Sequence, residues 1–105
     1  LDPPKYGRGP KGEFWRIEDD LTPLLQKCRQ LLSEDALFMV LTIYAIRASS
    51  LAAHYALADL FGNQDGCLES GELAIQEAPL KSGKPDLLRH VAQANFARWC
   101  SDIAI

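Results

Sequence analysis

Cysteine is scarce in this 105-residue chain, and its spacing suits neither a scaffold nor a metal. Cys28, Cys67 and Cys100 are an odd number with no C-x-x-C pair, which argues against a disulfide framework and a zinc site and fits a reducing cytoplasm. Histidine is equally sparse. His54 and His90 lie far apart, with no second ligand at i+4 and no acidic partner at metal spacing, so both read as structural. No G-x-S-x-G elbow or Cys/His signature is present, so nucleophilic hydrolysis has no support. No charged-then-apolar leader starts the chain, and its longest apolar run, Ala36 to Ile46, is too short to span a bilayer. A soluble, cytoplasmic protein is expected. Internal repeats and low-complexity tracts are also missing. The formal charge of −3 excludes a general electrostatic attraction to nucleic acid, so any such binding must use local patches.

What is present is an ordinary globular composition, 48% hydrophobic and 24% charged, sufficient for one domain with a core but small for an enzyme with its own cofactor site. One basic patch opens the chain, where Lys5, Arg8, Lys11 and Arg16 face only Asp2 and Glu13. A looser one comprises Lys81, Lys84, Arg89, His90 and Arg98.

Apolar residues recur at helical spacing at Ile17, Leu21, Leu24, Leu25, Cys28, Leu31 and Leu32, which predicts a helix with one face buried. Glu18, Asp19 and Asp20 suit its N-terminus. Pro23 either bends this helix or occupies its first position behind a Thr22 cap. Ala36 to Tyr44 is continuously apolar and reads as a strand buried on both faces, as in a parallel sheet flanked by helices. Ser49 or Ser50 then caps a second helix to about Phe61, ended by Gly62-Asn63 in a left-handed conformation. Cys67 to Gln76 is a weaker extended stretch, a polar loop with Pro79, Gly83 and Pro85 follows, and His90 to Trp99 makes a last strand. The expected fold is the second half of an open α/β sheet closed by an antiparallel hairpin, where ligands bind at the carboxyl ends of strands.

The most informative motif is Asp2-Pro3-Pro4-Lys5-Tyr6. Two prolines hold φ near about −65° and supply no N–H, so the carbonyls of this turn are expected to stay open as acceptors for the N–H groups of a base. Tyr6 offers a face on which an extruded base stacks. The plainer alternative is a surface turn with a cationic loop behind it. Gly7-x-Gly9-x-x-Gly12 matches the dinucleotide pattern literally, yet no strand precedes it, and Arg8, Pro10 and Lys11 suggest a mobile cationic loop that touches RNA phosphates or is merely solvated. Asn63, Asp65, Gly66, Leu68 and Glu72 fall where a calcium loop places its residues. The first ligand position would then be Phe61, which cannot coordinate a cation. Trp15 and Trp99 read as packing aromatics, Trp15 lying close enough to the basic loop to contact a base.

The turn, the loop, the buried strand and the closing hairpin together resemble the class I S-adenosylmethionine-dependent methyltransferases, and more narrowly the bacterial large-subunit ribosomal RNA methyltransferases. The resemblance runs over Asp2 to Glu13, Leu24-Leu25 through Leu31-Leu32-Ser33, Leu41 to Ser49, Ser70 to Leu73, and Phe96 to Trp99. It implies a Rossmann-like sheet whose last three strands are present, the closing strand lying antiparallel between the other two. It also implies that residues 1–105 are the C-terminal part of one catalytic domain, that the cofactor-binding half is absent, and that this fragment alone is inactive. Asp2, Pro3 and Pro4 would be the catalytic turn between S-adenosylmethionine and the acceptor base, with Asp2 also touching the cofactor. Lys5, Tyr6, Arg8 and Lys11 would bind the RNA substrate. Ile43 stands where relatives that methylate cytosine C5 carry a nucleophilic cysteine, so the resemblance points to transfer onto nitrogen or oxygen. A rival expectation is a non-catalytic α/β interaction module that packs on a partner through exposed strand edges.

Overall fold

In a computed structural model, described over residues 1–44, 46–78 and 88–104, the chain is a mixed α/β unit. A small hairpin, β1 (Tyr6–Arg8) and β2 (Phe14–Arg16), leads into helix α1 (Ile17–Leu31). Strand β3 (Phe38–Ile43), helix α2 (Ser50–Phe61) and strands β4 (Cys67–Gln76) and β5 (His90–Cys100) follow, with a final 3-10 turn at Asp102–Ala104. The polar loop expected around Pro79, Gly83 and Pro85, together with Lys81 and Lys84, lies outside the described residues.

The larger sheet has the order β3-β5-β4, and β5 is antiparallel to both neighbours. The closing strand therefore lies between the other two, as expected, and β3 and β4 run parallel to each other. Both helices bury their apolar faces on one side of this sheet. Ile17 and Leu25 of α1 and Ala53, Leu57 and Phe61 of α2 form a single core with Met39, Leu41, Ile43, Ala97 and Trp99.

Three expectations need correction, and one open alternative, the place of Pro23, is decided. Strand β3 is buried on one face only: Met39, Leu41 and Ile43 point inward, while Val40 and Thr42 are half-buried and Phe38 is 59% exposed. The described residues supply helices to one side of the sheet, so apolar composition concealed a period of two. Helix α1 begins at Ile17 and carries Pro23 inside it. Thr22 is therefore no cap; instead Asp20 accepts the backbone N–H of Arg16 at 2.8 Å, and the acidic first turn complements the helix dipole. Leu31, counted on the buried stripe, is 85% exposed; Ile17, Leu21, Leu25, Cys28 and Leu32 make the contact. Gly62, finally, is not left-handed, having φ −26° and ψ −45°.

One glycine is demanded by close approach. Gly66 has φ +149°, and a Cβ there would come within 2.4 Å of the Cys100 carbonyl oxygen and 2.5 Å of Trp99 Nε1. It lets the chain cross Trp99, which stacks on Phe61 with centroids 4.4 Å apart. Phe61, the first position of the calcium-like pattern, is thus core.

Candidate functional site

The Asp2-Pro3-Pro4 turn lies at the carboxyl end of β3. The backbone nitrogen of Leu1 donates to the Val40 carbonyl at 2.8 Å, and the Thr42 N–H donates to the Leu1 carbonyl at 2.9 Å. That bond pair is the signature of parallel strands, so Leu1 extends the sheet beyond β3 and sets Asp2 beside Thr42. The Thr42 hydroxyl donates to Asp2 Oδ1 at 2.6 Å and lies 3.4 Å from the Leu1 carbonyl oxygen.

The far side of the turn is pinned as well. Pro3 is buried. The Trp15 indole N–H donates to the Pro4 carbonyl at 2.5 Å, and the Ile17 N–H donates to the Lys5 carbonyl at 3.0 Å. The expectation of a row of open carbonyls therefore needs correction, because Leu1, Pro4 and Lys5 spend theirs internally. The carbonyls of Asp2 and Pro3 have no donor among the described residues. One oxygen of the Asp2 carboxylate and these two carbonyls are thus left as acceptors without a donor among the described residues, suited to an N–H or to a cation.

Behind the turn, the glycine loop is an ordered hairpin, where the sequence suggested a mobile loop. Tyr6 pairs with Arg16, Gly7 with Trp15 and Arg8 with Phe14. Gly9 N–H donates to the Glu13 carbonyl at 2.7 Å, Lys11 N–H donates to Glu13 Oε2 at 2.9 Å, and Gly12 takes φ +83°. The helix starts only after β2, so the dinucleotide geometry, in which the glycines open directly into a helix, is absent here. Lys5, Tyr6, Arg8 and Lys11 are all exposed on this hairpin and its approach. Lys5, Tyr6 and Arg16 share a depression of ≈ 350 Å³ with Glu18 and Asp19.

The structure thus brings Asp2, Pro3, Pro4, Lys5 and Tyr6 together at one end of β3 and leaves Arg8 and Lys11 farther along the hairpin. Sequence reading missed Thr42 as the partner of Asp2, and Asn95, whose Nδ2 donates to the Ala48 carbonyl at 2.8 Å and ties the segment after β3 to β5. No local signal finds either pairing, because the partners are about forty residues or more apart in sequence.

Of the second basic set, both arginines are paired, Arg98 with Glu69 and Arg89 with Glu77, at 3.1 Å for the latter. Hydrogen bonding from Arg89 holds the Glu77 carboxyl below its usual range, and the bond to Glu69 raises the Arg98 guanidinium. His54 Nδ1 is 3.0 Å from Ser70 Oγ, in keeping with a structural histidine. Among the described residues no group of three or more potential ligands gathers to hold a metal, and no helix is long and apolar enough to cross a membrane.

The chain is similar to a solved S-adenosylmethionine-dependent methyltransferase from Agrobacterium tumefaciens, with 42% sequence identity and a TM-score of 0.84 over 94% of this chain. The match covers 31% of that protein, so this chain spans about a third of its length. The α/β fold described above therefore matches that of part of this methyltransferase. No protein-family model and no curated protein matches the chain.

Proposed function

We propose that this chain is the acceptor-side, C-terminal part of a methyltransferase catalytic domain that transfers a methyl group from S-adenosylmethionine to RNA, with a ribosomal RNA base as acceptor. The observation that carries the reading is the Asp2 carboxylate, one oxygen held by Thr42 at 2.6 Å, next to the two unengaged carbonyls at the carboxyl end of β3. The 42% identity to a methyltransferase across nearly the whole chain supports the reaction class, and its coverage of about a third of that protein supports a domain larger than this chain. The basic hairpin supports the RNA acceptor.

The residues present fit the cofactor where they would meet it. A carboxylate and two carbonyls suit the neighbourhood of a cationic donor, and S-adenosylmethionine, when bound, supplies an electrophilic methyl on a sulfonium centre. Asp2 would then accept a hydrogen bond from the acceptor N–H, orient that nitrogen and take up the proton it releases. The Asp2 or Pro3 carbonyl accepts a second N–H of an exocyclic amine. Buried Pro3 and Pro4, bonded to Trp15, hold the turn. Tyr6 stacks on the base, and Lys5, Arg8 and Lys11 bind phosphates.

The decisive experiment is methyl transfer by the intact protein carrying Asp2→Ala. Transfer is expected to be abolished, and full activity would overturn the assignment.

A second reading, a non-catalytic interaction module, draws on the apolar residues exposed along the sheet, notably Phe38, Ile75 and Val91. It predicts that the intact protein binds no S-adenosylmethionine, which calorimetric titration decides.

A further inference from the structure

The β1–β2 hairpin has two faces of opposite character. Residues paired directly across an antiparallel ladder point to the same side, so Tyr6, Arg16, Arg8 and Phe14 share one face, and Gly7 and Trp15 share the other. The Trp15 side packs against the core and bonds the Pro4 carbonyl. The opposite side is bare: Tyr6 is 61% and Phe14 60% exposed, and both arginines are exposed too.

Aromatic and guanidinium groups alternate on that bare face, Tyr6 facing Arg16 and Arg8 facing Phe14. The Arg8 guanidinium lies over the Phe14 ring, 4.5 Å from its centroid. Nothing in packing accounts for two aromatic rings displayed to solvent on strands of three residues. A π-face backed by cations is, however, what an unstacked nucleobase and its phosphate require. A duplex offers no free base faces, so it would gain only the charge term.

We propose that this face is a stacking platform for unpaired nucleotides, on which Phe14 and Tyr6 each take a base while Arg8 and Arg16 stack or bind phosphate. The inference rests on the RNA reading and deepens it: the acceptor is presented within a single-stranded segment that runs from the hairpin to the Asp2 turn. Glu18 and Asp19 border the depression beside Lys5 and Arg16 and offset part of their positive charge, so these two cations hold phosphate less strongly than Arg8 and Lys11. The bound backbone is thus directed toward Arg8 and Lys11, leaving the Asp2 end to the base. Phe14 is a substrate-binding residue that no motif announces.

The test is fluorescence anisotropy on the intact protein with three probes: a labelled mixed-sequence single-stranded oligoribonucleotide, a blunt-ended two-strand RNA duplex, and heparin as a base-free polyanion. The single strand is expected to bind several-fold more tightly than the duplex. Phe14→Ala should weaken single-strand binding roughly tenfold, the order expected for one lost stacked base, while leaving heparin binding unchanged. Phe14→Tyr should retain binding and Phe14→Leu, apolar but without a π-face, should not. Circular dichroism confirms that each variant is folded, which the exposure of Phe14 favours.

Equal binding of paired and single-stranded RNA, an unaffected Phe14→Ala variant, or no binding to any RNA would overturn the inference. Methyl transfer by the intact protein separates the two readings. Transfer to RNA that survives Phe14→Ala with unchanged KM overturns the platform alone, whereas stacking without any cofactor-dependent transfer overturns the functional reading alone.

Discussion

Thr42 donates its hydroxyl hydrogen to Asp2 Oδ1 at 2.6 Å, across forty residues of sequence. The bond ties one carboxylate oxygen to β3, so the residue that would orient an acceptor is held by a strand. Such positioning is worth most when the geometry of attack is demanding, since small misplacements cost orders of magnitude in rate.

Replacing Thr42 by Val removes the donor and keeps the shape. In the intact protein kcat is expected to fall by about ten- to a hundredfold with cofactor affinity unchanged, and Thr42→Ser should restore most of it. Steady-state kinetics with a titrated cofactor checks this. Stability should change little, because the bond is solvent-exposed. A Thr42→Val enzyme with wild-type kcat would show that Asp2 needs no support.

Gly66→Ala should destabilise the fold by about 2–4 kcal/mol, since its Cβ would strike both the Cys100 carbonyl and the Trp99 indole at a positive φ. Chemical denaturation followed by tryptophan fluorescence reads the change directly. A loss within a few tenths of a kcal/mol would mean that the β4 entry relaxes freely.

The Glu77–Arg89 pair predicts a pH dependence confined to the far end of the β4–β5 hairpin. Arg89 lowers the Glu77 carboxyl below its ordinary 4.5, so the pairing is fully present above that value and is lost as pH falls through the lower, folded-state one. Both groups are in solvent, and salt should weaken the effect. Carboxyl chemical shifts recorded through an acid titration should give a depressed midpoint for Glu77 that returns toward 4.5 in Arg89→Ala. The same midpoint in both proteins would dismiss the pair.

Much of this fold was legible because its elements carry strong local signals. The apolar spacing of Ile17 to Leu32 marks a helix of 15 residues, and a second of 12 residues runs to Phe61 as expected, although the Ser49 side chain makes no capping hydrogen bond and Gly62 is not left-handed. The stretches Cys67–Gln76 and His90–Cys100 are strands within a residue of their expected ends. The β1–β2 hairpin escaped notice because a strand of three residues is too short to show a period, and its glycines suggested a loop. Pro23 left two positions open to sequence reading, and the acidic first turn at Glu18, Asp19 and Asp20 goes with the one the structure takes, inside the helix.

The candidate site divides along similar lines. Asp2-Pro3-Pro4 and the cations behind it are adjacent in the chain, and proline restricts the backbone wherever it stands, so the sequence alone determined a conformationally restricted turn beside a basic segment. It also determined that the chain has apolar faces enough for one core. Only the tertiary structure decided which oxygens remain free, because Trp15 and Ile17 claim the Pro4 and Lys5 carbonyls from across the hairpin. It likewise decided which side of β3 is covered, and that Tyr6, Arg8, Phe14 and Arg16 share a face. Composition and spacing express energies between near neighbours, whereas strand register and hydrogen-bond partnership are set by the packing of the whole chain.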